Sequence, residues 1–313
     1  MKKIDIHVHM GTFPSVEEAG PYLRRRADVA AYRTRHPEKY TAYLNEQPQD
    51  NGETLLKVMD KYGVETSIIQ PRPGINNDFV ASIARRFPKR LVPLAVPTPW
   101  PTAADKPREK IKSHTPQEVA GELEHCADLG FRAIGELYLR RVTNEIHPEK
   151  IVDDLDPLMK VAEQYNMPLQ IPTAWTQFPG GLLYGDPLWV DELAYRYPTV
   201  PIILTKMGRG LTRFFESTLT VAFRNQNIFV DTSDSTVEHL TKFIKIIGSS
   251  RILFGTDWSP TWQFLQDPGS VHDNAIALLT NANLSSEDLE KIYYKNSAQL
   301  YAPAIEHWVA INK

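Results

Sequence analysis

The stretch that decides the fold is "VPIILTKMGRGLTRFFESTLTVAFRNQNIFVDTSDS", residues 200–235. It opens with an apolar run, Val200–Leu204, that stops at Thr205, Lys206 and a pair of nearby glycines. Apolar residues then recur with helical period over 211–226, and a second apolar run, Ile228–Val230, ends in polar residues. Short apolar runs closed by turn residues read as buried strands. Two strands separated by a helix make a parallel pair, because a parallel connection needs a crossover of about a dozen residues or more.

The same unit repeats in both directions. Strands are expected at 2–10, 64–74, 90–99, 131–139, 167–175, 200–208, 227–235 and 251–260, eight in all. Helices are expected at 52–63, 77–88, 115–130, 150–166, 187–198, 211–226, 236–250 and 285–302. Gly63 stands where a glycine closes a helix, and Thr115 where a threonine opens one. Eight alternations favour a closed (β/α)8 TIM barrel of the α/β class, a fold that accommodates 313 residues as a single domain, 1–313. The connection from Gly11 to Gly52 is too long for a plain loop and is expected to be a part-helical cap insertion over the mouth.

Composition narrows the function. A formal net charge of -3 gives no basic field for nucleic acid. The longest apolar runs fall short of a membrane span, and Asp5 with two histidines interrupts any signal-like start. One cysteine, Cys126, permits no internal disulfide. A cytoplasmic protein is expected, and a homodimer is left open.

In a barrel of this kind the chemistry lies at the C-terminal ends of the strands. His7 and His9 end the first strand and, two residues apart, share one face. Imidazole suits zinc and similar ions, although two polar histidines closing a strand is the plainer alternative. The eighth strand, "ILFGTDWSP", delivers Asp257, which could bind metal, act as a base on water, or merely cap a turn.

"DIHVH" at the start, "GTDWSP" on the last strand and "NSAQLY" in the closing helix together resemble the amidohydrolase superfamily. Within it the likeness is to the amidohydrolase-2, aminocarboxymuconate-semialdehyde-decarboxylase-like barrels. That resemblance implies a divalent metal held by the first-strand histidine pair, a fifth-strand histidine and the last-strand aspartate, with a sixth-strand histidine assisting catalysis. Here the fifth-strand position is Pro172 and the sixth is Lys206.

Two residues offer themselves as substitutes. Glu136, on the fourth strand, could be a ligand, or an ion-pair partner of Arg132 or Lys206. Lys206 should point inward with Ile202 and Leu204, where it could pair with Asp257 or Glu136, bind a substrate carboxylate, or act as a base. Arg72, Arg140 and Arg209 recur at strand ends and suit carboxylate recognition, while Trp175 and Trp258 could form an aromatic wall. Surface solvation and core packing are the simpler accounts of some of these. The expected partner is a small-molecule carboxylate. The expected cofactor is a divalent metal, zinc first, on His7, His9, Asp257 and Glu136, with Asp257 and Lys206 catalytic. Hydrolysis of an amide or lactone bond by metal-activated water is the leading expectation. Decarboxylation is the alternative, and a metal-free lactonase or binding protein using Lys206 and Asp257 the third reading.

Overall fold

A computed structural model describes residues 1–12, 34–38, 47–72, 75–98, 114–175, 181–259 and 269–313. Seven parallel strands form: β1 (Lys3–Met10), β2 (Val64–Pro71), β3 (Leu91–Pro93), β4 (Leu169–Pro172), β5 (Ile202–Thr205), β6 (Ile228–Asp231) and β7 (Ile252–Leu253). They make two sheets, in the orders β1-β2-β3 and β4-β5-β6-β7. Helices α1 (Gly52–Tyr62), α2 (Asn77–Arg86), α3 (Pro116–Asp128), α4 (Pro148–Gln164), α5 (Val190–Arg196), α6 (Thr212–Arg224) and α7 (Val237–Ile247) alternate with them, after a single helical turn at Gly181–Tyr184 in the case of α5.

The expected fourth strand, 131–139, forms no ladder of its own. It lies between the sheets, tied by single parallel bridges from Ile134 to Ala95 and to Leu169. On the other side Val8 bridges Trp258, and the Ile6 and His9 amides donate to Phe254 O (3.0 Å) and Trp258 O (2.7 Å). These bridges complete the (β/α)8 arrangement, with the expected fifth to eighth strands appearing as β4 to β7. Most strand residues are buried on both faces, as parallel strands under helices must be, with polar residues such as Asp5, His7, Gln70 and Gln170 among the apolar ones.

Local signals act as the sequence suggests. Gly63 caps α1 at φ 68°, and Thr115 with Glu118 forms a capping box on α3. One helix escaped the sequence reading: α8 (Ser270–Asn281), after β7. The closing segment, α9 (Ser286–Glu290) and α10 (Asn296–Ile311), is joined through a π-turn at Lys291–Lys295. There Ile292 O accepts from Phe254 N (3.0 Å), and Asn296 of "NSAQLY" donates to Ser249 O and Ile252 O, fastening the helix to β7. Most of the Gly11–Gly52 insertion lies outside the described residues. Its two ends are stitched by reciprocal Thr12–Gln49 backbone hydrogen bonds just beyond β1. Within the described residues no helix is long and apolar enough to cross a membrane.

Candidate metal centre and active site

The ends of five barrel elements converge on one buried cluster. β1 supplies His7 and His9, the 131–139 segment Glu136, the turn after β5 Lys206, β6 Asp231, and the turn after β7 Asp257. Asp257 Oδ1 lies 3.3 Å from His7 Nε2 and 3.1 Å from His9 Nε2. Its other oxygen faces Lys206 Nζ at 3.2 Å and Arg209 Nη2 at 3.6 Å. Lys206 Nζ also donates to Glu136 Oε1 at 2.7 Å and sits 3.3 Å from His7 Nε2.

Backbone strain marks the same place. Lys206, Met207, Arg209 and Asp257 all have positive φ without being glycine, a conformation that persists only where the surroundings impose it. Lys206 therefore points inward for a reason other than the one expected. β5 ends at Thr205, so strand alternation does not reach it; a left-handed backbone turns it into the barrel.

The cluster fits a divalent metal by its donor chemistry. Two imidazole nitrogens and a carboxylate oxygen suit first-row divalent ions. Around an ion bonded at 2.0–2.1 Å, neighbouring donors stand about 3–3.4 Å apart, which matches the 3.1 and 3.3 Å separations here. The donors of His7, His9 and Asp257 all lie within 4.8 Å of one another. His7 Nδ1 is hydrogen-bonded to Asp231 Oδ2 at 2.7 Å, an arrangement that orients metal-binding histidines. His9 Nδ1 is buried with no partner among the described residues.

Glu136 stands outside this trio. Lys206 and Thr205 donate to its Oε1, Tyr138 donates to Oε2 at 2.9 Å, and Gln70 Oε1 accepts from its amide. Its primary partner is thus the ammonium, the ion-pair alternative of the sequence reading, although its oxygens lie 3.4 and 3.5 Å from the two histidines.

Without metal the charges neutralise one another. Burial and the Lys206 ammonium oppose protonation of His7, but Glu136, Asp257 and Asp231 outweigh them, and the imidazole is pushed up to about 10. Burial likewise opposes ionisation of Glu136 and Asp257, yet Lys206 and His7 hold both carboxyls well below the usual range. Burial works against the Lys206 charge too, and Asp257 and Glu136 more than compensate, raising it. A metal at His7 must displace a proton.

The remaining expected residues are dispersed. Arg209 is part of the site: Nε donates to Asp234 (2.7 Å), Nη1 to Trp175 O (3.0 Å), and its guanidinium lies 4.4 Å over the Trp175 ring. Trp175 itself is 41% exposed. Arg140 instead bonds Asn144 and Thr143 O, and Arg72 reaches Gly11 O at 3.4 Å. Trp258 has no exposed surface and packs in the core, so an open aromatic wall there is corrected. Pro172 ends β4 and brings no donor atom. The sequence reading missed Asp231, Gln70 and Ser233. For Asp231 the signal was present: a carboxylate ending the apolar run Ile228–Val230, in the manner of Asp257.

A cavity of about 390 Å³ reaches Asp257 between the ends of β6 and β7, lined by Ser233, Asp234, Ser235 and Thr256 and by Val271, Asn274, Ala275 and Leu278 of α8. A larger open hollow of about 710 Å³, around Met1, Gly63 and Arg90, lies at the opposite end of the strands and contains none of these groups. The smaller cavity is the one beside the chemistry.

A family model described as "Amidohydrolase" matches residues 4–302. The chain belongs to this family. It is 22% identical over 323 residues to a gamma-resorcylate decarboxylase of Polaromonas sp. (strain JS666 / ATCC BAA-500), an alignment covering 85% of this chain and 91% of that one. Among solved structures, an uncharacterized TIM-barrel protein from Bordetella bronchiseptica superposes with a TM-score of 0.67 at 18% identity, covering 97% of this chain and 99% of the other. A dihydroxybenzoic acid decarboxylase from Polaromonas sp. JS666, with bound manganese and the inhibitor 2-nitroresorcinol, gives 0.60 at 19%, covering 96% and 97%. These likenesses establish the barrel fold of the family, as the sequence motifs implied. His7, His9 and Asp257 could hold the metal.

Proposed function

We propose that this protein decarboxylates a small aromatic acid of the hydroxybenzoate type at the mouth of its barrel. The observation that carries the reading is the pair of cations, buried Lys206 and partly buried Arg209, set against Asp257 beside the two histidines, in a chain similar over 85% of its length to a gamma-resorcylate decarboxylase. This reverses the order of the sequence expectation, which put amide or lactone hydrolysis first.

A substrate carboxylate would be bound by the Arg209 guanidinium and the Lys206 ammonium, a pairing of fixed cations with an anion that charge-assisted hydrogen bonds favour. Exchange of the His7 proton for a divalent ion raises the local charge by one unit, which further favours an anionic ligand. When bound, the ion would stabilise negative charge developing on a substrate oxygen. Manganese, which the Polaromonas dihydroxybenzoic acid decarboxylase binds, is as good a candidate as the zinc expected from sequence.

Loss of carbon dioxide requires a proton on the ring carbon as the carbon–carbon bond breaks and its electron pair returns to the ring. Asp257 is the group for that transfer. Ionised at rest, it accepts a proton at a carboxylate oxygen from a substrate hydroxyl and passes it to carbon. The hydroxyls of Ser233, Ser235 and Thr256, whose hydrogens go to Asp231, Met207 and Asp5, present acceptor oxygens that suit the hydroxyls of such a ring.

The test incubates manganese- and zinc-loaded protein with 2,6-dihydroxybenzoate and related hydroxybenzoates, measuring carbon dioxide and the phenol formed. Release of carbon dioxide abolished in Asp257→Asn supports the reading. No turnover of any hydroxybenzoate, with incorporation of labelled water into an ester, amide or lactone substrate, refutes it in favour of hydrolysis.

A further inference from the structure

Asp231 touches both halves of the site. It is fully buried at the end of β6. Its Oδ2 accepts from His7 Nδ1 at 2.7 Å, and its Oδ1 accepts the Lys206 amide at 2.7 Å and the Ser233 hydroxyl at 2.8 Å. The space it fills is made by Gly255, where a Cβ would come within 2.7 Å of Oδ2.

The bond to the Lys206 amide matters because a strained backbone begins there. Residues 206–210 all have positive φ, at 68°, 41°, 79°, 54° and 69°. Five successive residues in this region form a left-handed turn, which costs roughly 1–2 kcal/mol at each non-glycine. The turn needs outside restraint. Asp231 holds its first amide, and Thr173 Oγ1 accepts the Gly208 amide at 2.8 Å.

We propose that Asp231 is the positioning residue for the whole site: through Oδ2 it keeps the His7 hydrogen on Nδ1, leaving Nε2 to face a metal, and through Oδ1 it pins the left-handed turn that carries Lys206 and Arg209 to Asp257. The inference rests on His7, His9 and Asp257 being metal ligands; it is independent of which reaction the site performs. A carboxylate only accepts hydrogen bonds, so the ring hydrogen on Nδ1 stays, and it is the Nε2 proton that a metal displaces to reach a lone pair. In Asp231→Asn the amide oxygen can still accept from the Lys206 amide. Its NH2 then faces Nδ1, which becomes the acceptor, and the ring hydrogen moves to Nε2, towards the metal.

The experiment measures Zn²⁺ and Mn²⁺ affinity by titration and hydrogen exchange at the Lys206 amide, with no substrate present. Asp231→Asn is expected to bind metal 10–100-fold more weakly while the Lys206 amide stays protected. Asp231→Ala loses both. Wild-type metal affinity in the Asn variant overturns the proposal, as does unchanged protection of Lys206 in the Ala variant. Should neither variant fold, the ¹⁵N shifts of His7 in the zinc-loaded native protein decide it: a hydrogen on Nδ1 is expected, and a hydrogen on Nε2 overturns it. A native protein that takes up no metal defeats the metal-centre reading itself, an outcome distinct from native binding with an indifferent Asn variant. Failure to decarboxylate hydroxybenzoates leaves all these readouts intact.

Discussion

Replacing Lys206 by methionine separates two effects of its charge. The ammonium is 4% exposed, 2.7 Å from Glu136 and 3.2 Å from Asp257. In metal-free protein, removing one member of a buried ion pair leaves its carboxylate partners uncompensated, at a cost of about 3–5 kcal/mol in stability. A bound divalent ion feels the opposite: at a separation of roughly 4 Å it is repelled by a unit charge with about 2 kcal/mol under water-like screening and about 8 kcal/mol at an effective dielectric of 20. Even the lower value exceeds the 1.4 kcal/mol that corresponds to a tenfold change in affinity. Lys206→Met is therefore expected to be markedly less stable without metal, yet to bind Mn²⁺ or Zn²⁺ at least tenfold more tightly, with metal restoring much of the lost stability. Chelator-competition titration and denaturant unfolding with and without metal read both quantities. A variant with native metal affinity or weaker, and native stability without metal, would refute the electrostatic account.

Arg209→Ala removes one carboxylate-binding cation and is expected to raise KM for a hydroxybenzoate by about 10–100-fold, with metal affinity by titration not weakened; an unaltered KM would take Arg209 out of substrate binding. Gly208→Ala forces a Cβ to within 2.4 Å of Phe215 N at φ 79°, so a stability loss of order 1–3 kcal/mol is expected in chemical unfolding, together with lost activity, and a neutral result would show the turn to be yielding. Asp191 is held below the usual carboxylate range by Arg224, against a smaller opposing effect of burial. Its stabilisation is present above the unfolded carboxylate value of about 3.9 and lost as pH falls through the lower folded one. The gap in Tm between wild type and Asp191→Asn should accordingly be open at pH 6 and close at the acid end; a gap independent of pH contradicts this.

The fold was legible because strands and helices alternate with clear periods, and because glycine and threonine mark helix ends at Gly63 and Thr115. What failed locally failed for lack of a continuous ladder or pattern: 131–139 has strand composition, but its only β-bridges are at Ile134, with further single backbone hydrogen bonds at Ala133, Gly135 and Leu137, and α8 has little amphipathic pattern to announce it. In the site, His7, His9 and Asp257 were readable from their places at strand ends. Lys206 was found by alternation although a left-handed turn actually delivers it, since sequence carries no direct sign of positive φ in a lysine. Trp258 could not be sorted from a binding wall, because burial and exposure look alike in a tryptophan beside a turn. Asp231 carries the same strand-end signal as Asp257, but its role was not legible, because its partners lie 224 and 25 residues away and hydrogen bonds of that kind leave no local trace.

The seam between β1 and the last strand has a temporal side. Thr256 is bound to Asp5 across 251 residues of chain, with its amide at 3.1 Å and its hydroxyl at 2.7 Å from the carboxylate, and the same seam brings Asp257 to His7 and His9. At about 5–20 residues per second, a ribosome releases the histidine pair tens of seconds before the aspartate that completes it. The two histidines alone are a poor trap for metal, and Glu136 with Lys206 arrives in between. An ion held by His7, His9 and Asp257 would therefore be acquired last, once the final strand has docked, and the metal then present, rather than the order of the ligands in the gene, would decide which one is taken up.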